Sequence, residues 1–314
     1  MKVLVTGAAG FIGSHLCEEL LQQGHDVVGL DAFIPYYPRS MKEANLSTLR
    51  GQPGFTFRQL DLRTDDLSEA VDSVEAIFHL AAMPGLARSW TEFDLYSTCN
   101  VQGTQRLLDT VRDSGSLRRF VYASTSSVYG KYGSGDETLP TRPISPYGVT
   151  KLAAEHLCRA HSEELGLPLV ALRYFSVYGP RQRPDMGYQR FIQALLLGET
   201  ISVFGDGNQV RGNTFVSDCV AATIRALEAP IGEVYNIGGG ETATVWEILQ
   251  KLERLTGCRA VVQRQAARAG DQRFTGADTS KIRNHLAWQP RVGLEEGLAR
   301  QVAWQQGQLR RQAA

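Results

Sequence analysis

The 314-residue sequence has no excess of either charge: 33 Lys and Arg stand against 33 Asp and Glu. Without a global positive field it has nothing with which to hold a nucleic acid or an anionic membrane, so any anion site must be local. Cysteine is scarce. Cys17, Cys99, Cys158, Cys219 and Cys258 show neither CxxC nor Cys/His ligand spacing, which argues against a zinc site and a disulfide framework and points to a reducing compartment. No metal centre is expected. No stretch of about 18 apolar residues occurs that could span a bilayer. The opening run Met1–Val5 breaks at Gly7 and leads to Glu18 and Glu19 without a small-residue cleavage site, so the expected location is the cytoplasm. Repeats and low-complexity tracts are also missing. At 43 % hydrophobic and 21 % charged residues, the composition excludes disorder and coiled coil and leaves a globular chain of about two domains' length.

What is present is alternation. Val3-Leu4-Val5 reads as a buried strand, a glycine turn follows, and Phe11, Ile12, Leu16, Leu20 and Leu21 then repeat at helical spacing. Further apolar runs at 27–30, 55–60, 76–80, 120–123 and 167–172 alternate with helical patterns near 97–114 and 147–165, which implies an α/β fold with a doubly wound parallel sheet. After Gly179-Pro180 the texture changes to short mixed elements rich in Gly and Arg. The expected organisation is a first domain over 1–178, rejoined by about 213–240, and a smaller mixed α/β lobe over 179–314 interleaved with it.

Three clusters carry chemistry. Gly7, Gly10 and Gly13 form GxxGxxG between the first strand and first helix, where missing side chains let backbone N–H groups approach a pyrophosphate. Asp31 follows the second strand 18 residues after Gly13, placed to accept from adenosine ribose hydroxyls and to repel a 2′-phosphate, which favours NAD over NADP. Tyr147 and Lys151 lie four apart on a helix that opens after Ser145-Pro146. An ammonium beside a phenol favours the phenolate, and a bound nicotinamide cation adds to this, giving a base usable near neutral pH; the bland alternative is a solvated helix face. Ser124 to Ser127 follow a strand, where hydroxyls can polarise a substrate oxygen, although Ser/Thr runs at such places are usually turn formers.

Taken with Asp61-Leu62, His79-Leu80-Ala81-Ala82, Asn100, Thr125 to Gly130, Tyr178-Gly179-Pro180 and Tyr235-Asn236-Ile237-Gly238, these motifs resemble the extended short-chain dehydrogenase/reductases, in particular the nucleotide-sugar epimerases and dehydratases, over nearly the whole chain. The resemblance implies a Rossmann-like domain with a C-terminal substrate lobe, bound NAD, and a catalytic triad of Thr125, Tyr147 and Lys151. It assigns Gly7, Gly10, Phe11, Ile12, Gly13, Asp31, Asp61, Leu62, Leu80, Ala81, Ala82 and Asn100, with Tyr147 and Lys151, to the cofactor. It also implies a homodimer through the helices near 97–114 and 147–165; the stripe Val101, Leu107, Leu108, Val111 fits such an interface and fits a core equally well.

Members of the family share oxidation at C4 of a nucleotide-linked sugar. Dehydratases and decarboxylases carry acidic residues just after the catalytic Thr or Ser, where this chain has Ser126 and Ser127. Without that acid the 4-keto intermediate has one exit, rotation and return of hydride to its other face. The expected function is therefore UDP-sugar 4-epimerisation. Tyr174 to Met186 looks like the UDP-glucuronate 4-epimerases, with Ser176 where UDP-galactose epimerases usually have Asn. Arg183 is then the candidate partner of a C6 carboxylate, helped by the Thr125 and Ser126 hydroxyls, with Ser127 also expected at the substrate and Arg88 as a second anion contact. Arg211 and Arg268 are expected on the diphosphate and Asp271 near the uridine ribose, although RAGD replaces the family's RPGD and Gly212-Asn213 its common Asp-Phe. The alternatives are a UDP-glucose/UDP-galactose 4-epimerase, a dehydratase or decarboxylase, and a non-catalytic NAD-binding regulator, the last disfavoured by the intact triad.

Overall fold

A computed structural model describes residues 1–313. Seven parallel strands form the main sheet: β1 (Lys2–Thr6), β2 (Asp26–Leu30), β3 (Phe55–Arg58), β4 (Ala76–His79), β5 (Arg119–Thr125), β7 (Leu169–Tyr174) and β11 (Val234–Ile237), in the order β11-β7-β5-β4-β1-β2-β3. Their apolar runs are continuous because both faces are covered. Val3 and Val5 enter one core and Leu4 the other; Val121 and Ala123 oppose Phe120 and Tyr122 in the same way, as do Val170 and Leu172 against Leu169 and Ala171. This is the doubly wound, Rossmann-like α/β fold that the alternation predicts. The chain leaves β1 towards β2 and later returns on the other side at β4. Ligands of such sheets bind in the crevice outside the strand ends at that reversal.

The second sheet runs β12 (Glu241–Thr244), β10 (Val210–Phe215), β14 (Phe274–Ala277), β6 (Tyr132–Gly135), with β8 (Val177–Tyr178) also paired to β10. A separate pair joins β9 (Thr200–Phe204) to β13 (Val261–Gln265). β6 comes from before residue 178 yet pairs in the second sheet, and β11 comes from after 179 yet edges the first. The chain passes between the sheets several times.

Two helices set the site. Pro146–Leu165 starts where Ser145 caps it, its hydroxyl oxygen accepting from Gly148 N at 3.1 Å with Pro146 in the first turn, and stops at left-handed Gly166. Beside it the segment 93–111 is helical but passes through a π turn at Ser97–Gln102, a distortion frequent at functional sites. Leu107, Leu108 and Val111 are wholly inside, packed with Phe120 and Tyr122, so these three residues of the stripe are core, whereas Val101 is half-buried. Among the described residues no helix is long and apolar enough to cross a membrane.

Candidate active site

The main cavity opens at the ends of β1, β2, β4 and β5. Gly7 has φ +74° and a Cβ there would sit 3.0 Å from Ala81 N; a Cβ on Gly13 would lie 2.2 Å from Gly7 O. These positions must be glycine for the turn to lie flat against β4 and for the helix Phe11–Gln22 to seat on the strand. Gly10 caps that helix without a side-chain acceptor, which leaves its first amides to an anion. Phe11, Ile12, Leu62, Leu80, Ala81 and Ala82 line the walls. Asp31 is buried, and its Oδ1 accepts from Phe33 N at 2.8 Å and from Lys42 Nζ at 3.1 Å, which leaves Oδ2 for a ribose hydroxyl. Asp61 also lines the cavity but is forked by Arg63, whose hydrogen bonds hold its carboxyl below the usual range.

Asn100 was expected on the cofactor, but its amide is spent on protein. Its Oδ1 accepts from Met83 N at 2.6 Å, and its Nδ2 donates to Met83 O at 3.1 Å and to Thr150 Oγ1 at 3.0 Å. It ties the segment after β4 to the helix that carries Tyr147 and Lys151, and it does not line the cavity. Behind it lies His79, which burial keeps neutral by lowering its pKa to about 3. Thr104 Oγ1 gives its proton to Asn100 O, so it accepts from His79 Nε2–H at 2.9 Å. His79 Nδ1 then accepts from Thr6 Oγ1 at 2.8 Å, and Thr6 in turn accepts Ala81 N–H. One tautomer satisfies every member of the chain.

At the other end of the crevice Tyr147 and Lys151 line the cavity, and Thr125, just outside the lining, joins them through its hydrogen bond to Tyr147. Thr125 Oγ1 accepts from Ser127 N at 3.2 Å, which leaves its proton for the Tyr147 phenol. Ser126 and Ser127 are buried in the same turn, Ser126 held by Gln272 Nε2 at its carbonyl. The expectation that Lys151 lowers the Tyr147 phenol is not met in the protein by itself. Burial is the largest influence and holds the phenol above its ordinary value, opposed by the Thr125 hydrogen bond and by Arg183. Lys151 lies with Nζ 4.3 Å from the Tyr122 ring centroid, and burial brings its ammonium down to about 8. It remains mostly charged at neutral pH.

Arg183 lines the cavity on the Tyr147 side. Its fork grips Asp185, Nε to Oδ1 and Nη2 to Oδ2, each at 3.0 Å, and Tyr36 packs beneath it with its hydroxyl donating to Asp185 at 3.2 Å. Arg88, expected as a second anion contact, lies outside the cavity lining: Glu92 takes its Nε and Nη2 and Tyr36 its Nη1. The i,i+4 Glu on its own turn satisfies it first. Ser176 is likewise outside the lining and offers its carbonyl to Thr214 N. A second cavity begins at Pro184 and Asp185 and holds Arg268, Asp271 and Arg190. Arg211 is outside its lining but close enough, with Arg268, to oppose the burial that raises the Asp271 carboxyl.

The two cavities, one beside a glycine turn and one rich in arginine, meet at Arg183 to Asp185, as a dinucleotide and a second anionic ligand sharing one reaction point require. The profile of the NAD dependent epimerase/dehydratase family matches residues 3–238. The chain belongs to that family. It is 46 % identical over 309 residues to the uncharacterized UDP-glucose epimerase YtcB of Bacillus subtilis (strain 168), with 97 % of this chain and 98 % of the relative covered. Its structure is similar to that of UDP-glucuronic acid 4-epimerase from Bacillus cereus in complex with UDP-glucuronic acid and NAD, with a TM-score of 0.95, 43 % identity, and 98 % and 100 % of the two chains covered. It is also similar to MoeE5 in complex with UDP-glucose and NAD, with a TM-score of 0.89, 41 % identity and the same coverage.

Several residues of this family member were invisible to pattern reading. Arg190 sits in an ordinary helix, and Lys42 and Tyr36 in a segment without periodicity. Gln182 accepts from Gln189 N at 3.1 Å and from Gln301 Nε2 at 2.8 Å, bracing the loop of Arg183, while Arg181, at φ +66°, ties it to Glu18 of the first helix. Only Lys42 follows from a rule: a buried Asp31 requires a partner.

That pair sets a prediction. NAD should bind far more tightly than NADP, because Asp31 opposes a 2′-phosphate. Asp31→Asn should weaken NAD by about tenfold, the scale of one charged hydrogen bond. It should tighten NADP by a similar factor, since Lys42 is then left without its carboxylate. Titrations of both dinucleotides followed by protein fluorescence measure the two constants, and an unchanged NADP affinity counts against this role of Asp31.

Proposed function

We propose that the protein is an NAD-dependent UDP-sugar 4-epimerase that interconverts UDP-glucuronate and UDP-galacturonate through a transient 4-keto sugar. The observation that carries this reading is the composition of the reacting end of the crevice. Thr125, Tyr147, Lys151 and Arg183 meet there without a carboxylate free to take a proton from C5. The acids of the cavity wall, Asp31 and Asp61, belong to the β2 and β3 end, three or four strand spacings from β5, or roughly 14 to 19 Å. Asp185 is closed on Arg183.

The Gly7–Gly13 turn and Asp31 would hold NAD by its pyrophosphate and ribose, and the cofactor so bound would supply a hydride acceptor and donor for C4. Tyr147 takes the O4 proton and returns it. The Thr125 hydroxyl and the Arg183 guanidinium favour the phenolate against the burial that opposes it; the reading adds the Lys151 ammonium, one helical turn on. Arg190, Arg211 and Arg268 hold the diphosphate, with Asp271 at the uridine ribose, so the sugar can turn while the nucleotide stays fixed. Arg183 binds the C6 carboxylate. A 4-keto-uronate is a β-keto acid and expels CO₂ once its C5–C6 bond aligns with the carbonyl π system; a guanidinium clamp that holds the carboxylate off that alignment keeps the carbon.

The runner-up is a UDP-glucose/UDP-galactose 4-epimerase, favoured by the Arg183–Asp185 pair if that guanidinium serves only as a salt bridge. One experiment separates the two: NMR product analysis after incubation with UDP-glucuronate and, separately, UDP-glucose, without reductant. UDP-galacturonate alone supports the proposal, UDP-galactose alone replaces it with the runner-up, and CO₂ or an accumulating 4-keto product from the wild type overturns the epimerase reading. Arg183→His and Arg183→Asp should lose epimerisation of UDP-glucuronate by at least about tenfold and release a decarboxylated 4-keto pentose. An unchanged product spectrum removes the clamp.

A homodimer through the helices near 97–114 and 147–165 is part of the same reading, as is a cytoplasmic location, which the free state of all five cysteines supports. Phe93 and Val149, each 48 % exposed, supply the apolar surface that the core stripe does not. Sedimentation should give twice the chain mass, and Phe93→Asp with Val149→Asp should halve it. A wild-type monomer at micromolar concentration sinks this part.

A further inference from the structure

One helical turn beyond Lys151, on the same face, lies a second buried ionisable residue that the chemistry above does not use. Glu155 is 5 % exposed. Its Oε1 accepts from Arg173 Nη2 at 2.5 Å and from Nε at 3.2 Å; its Oε2 accepts from Arg173 Nε at 3.3 Å and from the Ser124 hydroxyl. Ser124 immediately precedes Thr125, and Arg173 stands opposite Ser124 on the neighbouring strand β7. The guanidinium continues through Nη1 to Tyr129 Oη at 2.8 Å, and Tyr129 donates to Asn236 Oδ1 at 2.7 Å. Asn236 in turn donates to Gly135 O at 3.2 Å, in the second sheet. A buried ion pair often stabilises no better than apolar residues of the same volume, so its energy alone does not account for it. Its placement does. The two oxygens of one carboxylate join the helix of Tyr147 and Lys151 to the strand end of Thr125.

We propose that Glu155 is a positioning residue, which through Ser124 and Arg173 fixes Thr125 against Lys151 and keeps the Lys151 ammonium charged inside the protein. This rests on the reading of Thr125, Tyr147 and Lys151 given above. Lys151 is faced by Tyr147, Glu155 and Cys158 on its own helix, His79 from β4, Tyr122 from β5, and, beyond Glu155, Arg173 from β7. Burial raises the Cys158 and Tyr122 groups and lowers His79, so these stay neutral across the working pH range. Tyr147 is neutral except while it acts as the base. Glu155 is the negative charge that remains to oppose the burial of Lys151.

The sign follows. Lys151 must carry its proton, and burial has already brought its pKa to about 8. Removing the Glu155 charge lowers it further, so activity should be lost from the alkaline side first. The test is the pH profile of kcat and KM for UDP-sugar epimerisation, with bound NAD and Tm measured on the same samples, for wild type, Glu155→Gln, Glu155→Asp, Ser124→Ala and Lys151→Met. Glu155→Gln should move the alkaline limb down by about one pH unit and lower kcat at pH 8 by about fivefold, with KM little changed; Glu155→Asp should recover part of the shift. Ser124→Ala keeps the ion pair and should lower kcat several-fold at unchanged NAD content, and it decides the matter if Glu155→Gln does not fold. A folded Glu155→Gln with the wild-type limb, a Glu155→Asp no better than Glu155→Gln, or a Ser124→Ala with full kcat overturns the proposal. Lys151→Met separates the two readings: if it stays active the triad assignment itself fails, whereas an inactive Lys151→Met with an unshifted Glu155→Gln removes only the role of Glu155.

Discussion

The structure depends on the crevice between β1 and β4, which has to stay open at its mouth and shut at its root. Parallel strands that reverse direction of travel diverge in their connections, and the gap is where a dinucleotide fits. Here the root is closed by hydrogen bonds running from Ala81 N–H through Thr6, His79 and Thr104 to Asn100 O. Each hydroxyl donates once and accepts once, which fixes the His79 tautomer and leaves no buried member of the chain unpaired. The chain links the strand before the glycine turn to the π turn, and Asn100 carries the link onward through Met83 and Thr150 to the helix of Tyr147 and Lys151. The distortion of the 93–111 helix thus has a use: it sets Asn100 between the two halves of the site.

How much of this the sequence displayed depended on distance along the chain. The glycine turn, Asp31 and the Tyr147/Lys151 pair were legible because their chemistry is local: a turn needs its own glycines, and residues four apart on a helix share a face. Contacts between remote residues left no such trace. Gln301 braces Gln182 across 119 positions and Tyr36 meets Asp185 across 149. Each looks like an ordinary polar residue until the fold brings it to its partner. Arg88 and Asn100 show the converse. Motif context placed both at a ligand, but Glu92 and Met83 lie nearer, and a buried or half-buried polar group bonds what is within reach. The misjudged influence of Lys151 on Tyr147 has the same origin: helical spacing gives proximity, whereas burial, which dominates the phenol, is a property of the whole assembly.

The Arg183–Asp185 pair bears on whether the guanidinium can also serve a substrate. Asp185 occupies one edge of the fork, Nε and one N–H of Nη2. A guanidinium has five N–H groups, so Nη1 with its two, and the second of Nη2, remain, and they form the edge that matches another carboxylate side by side. A pair of this kind does not compete with a bound uronate for the same hydrogens. It holds the planar group by one side so that the other is presented at a set angle, with Tyr36 beneath it and the Gln182 brace behind its loop. Freezing a long side chain in advance removes part of the entropy that binding would otherwise cost. The salt bridge that favours the UDP-glucose reading therefore also fits a carboxylate clamp prepared in advance.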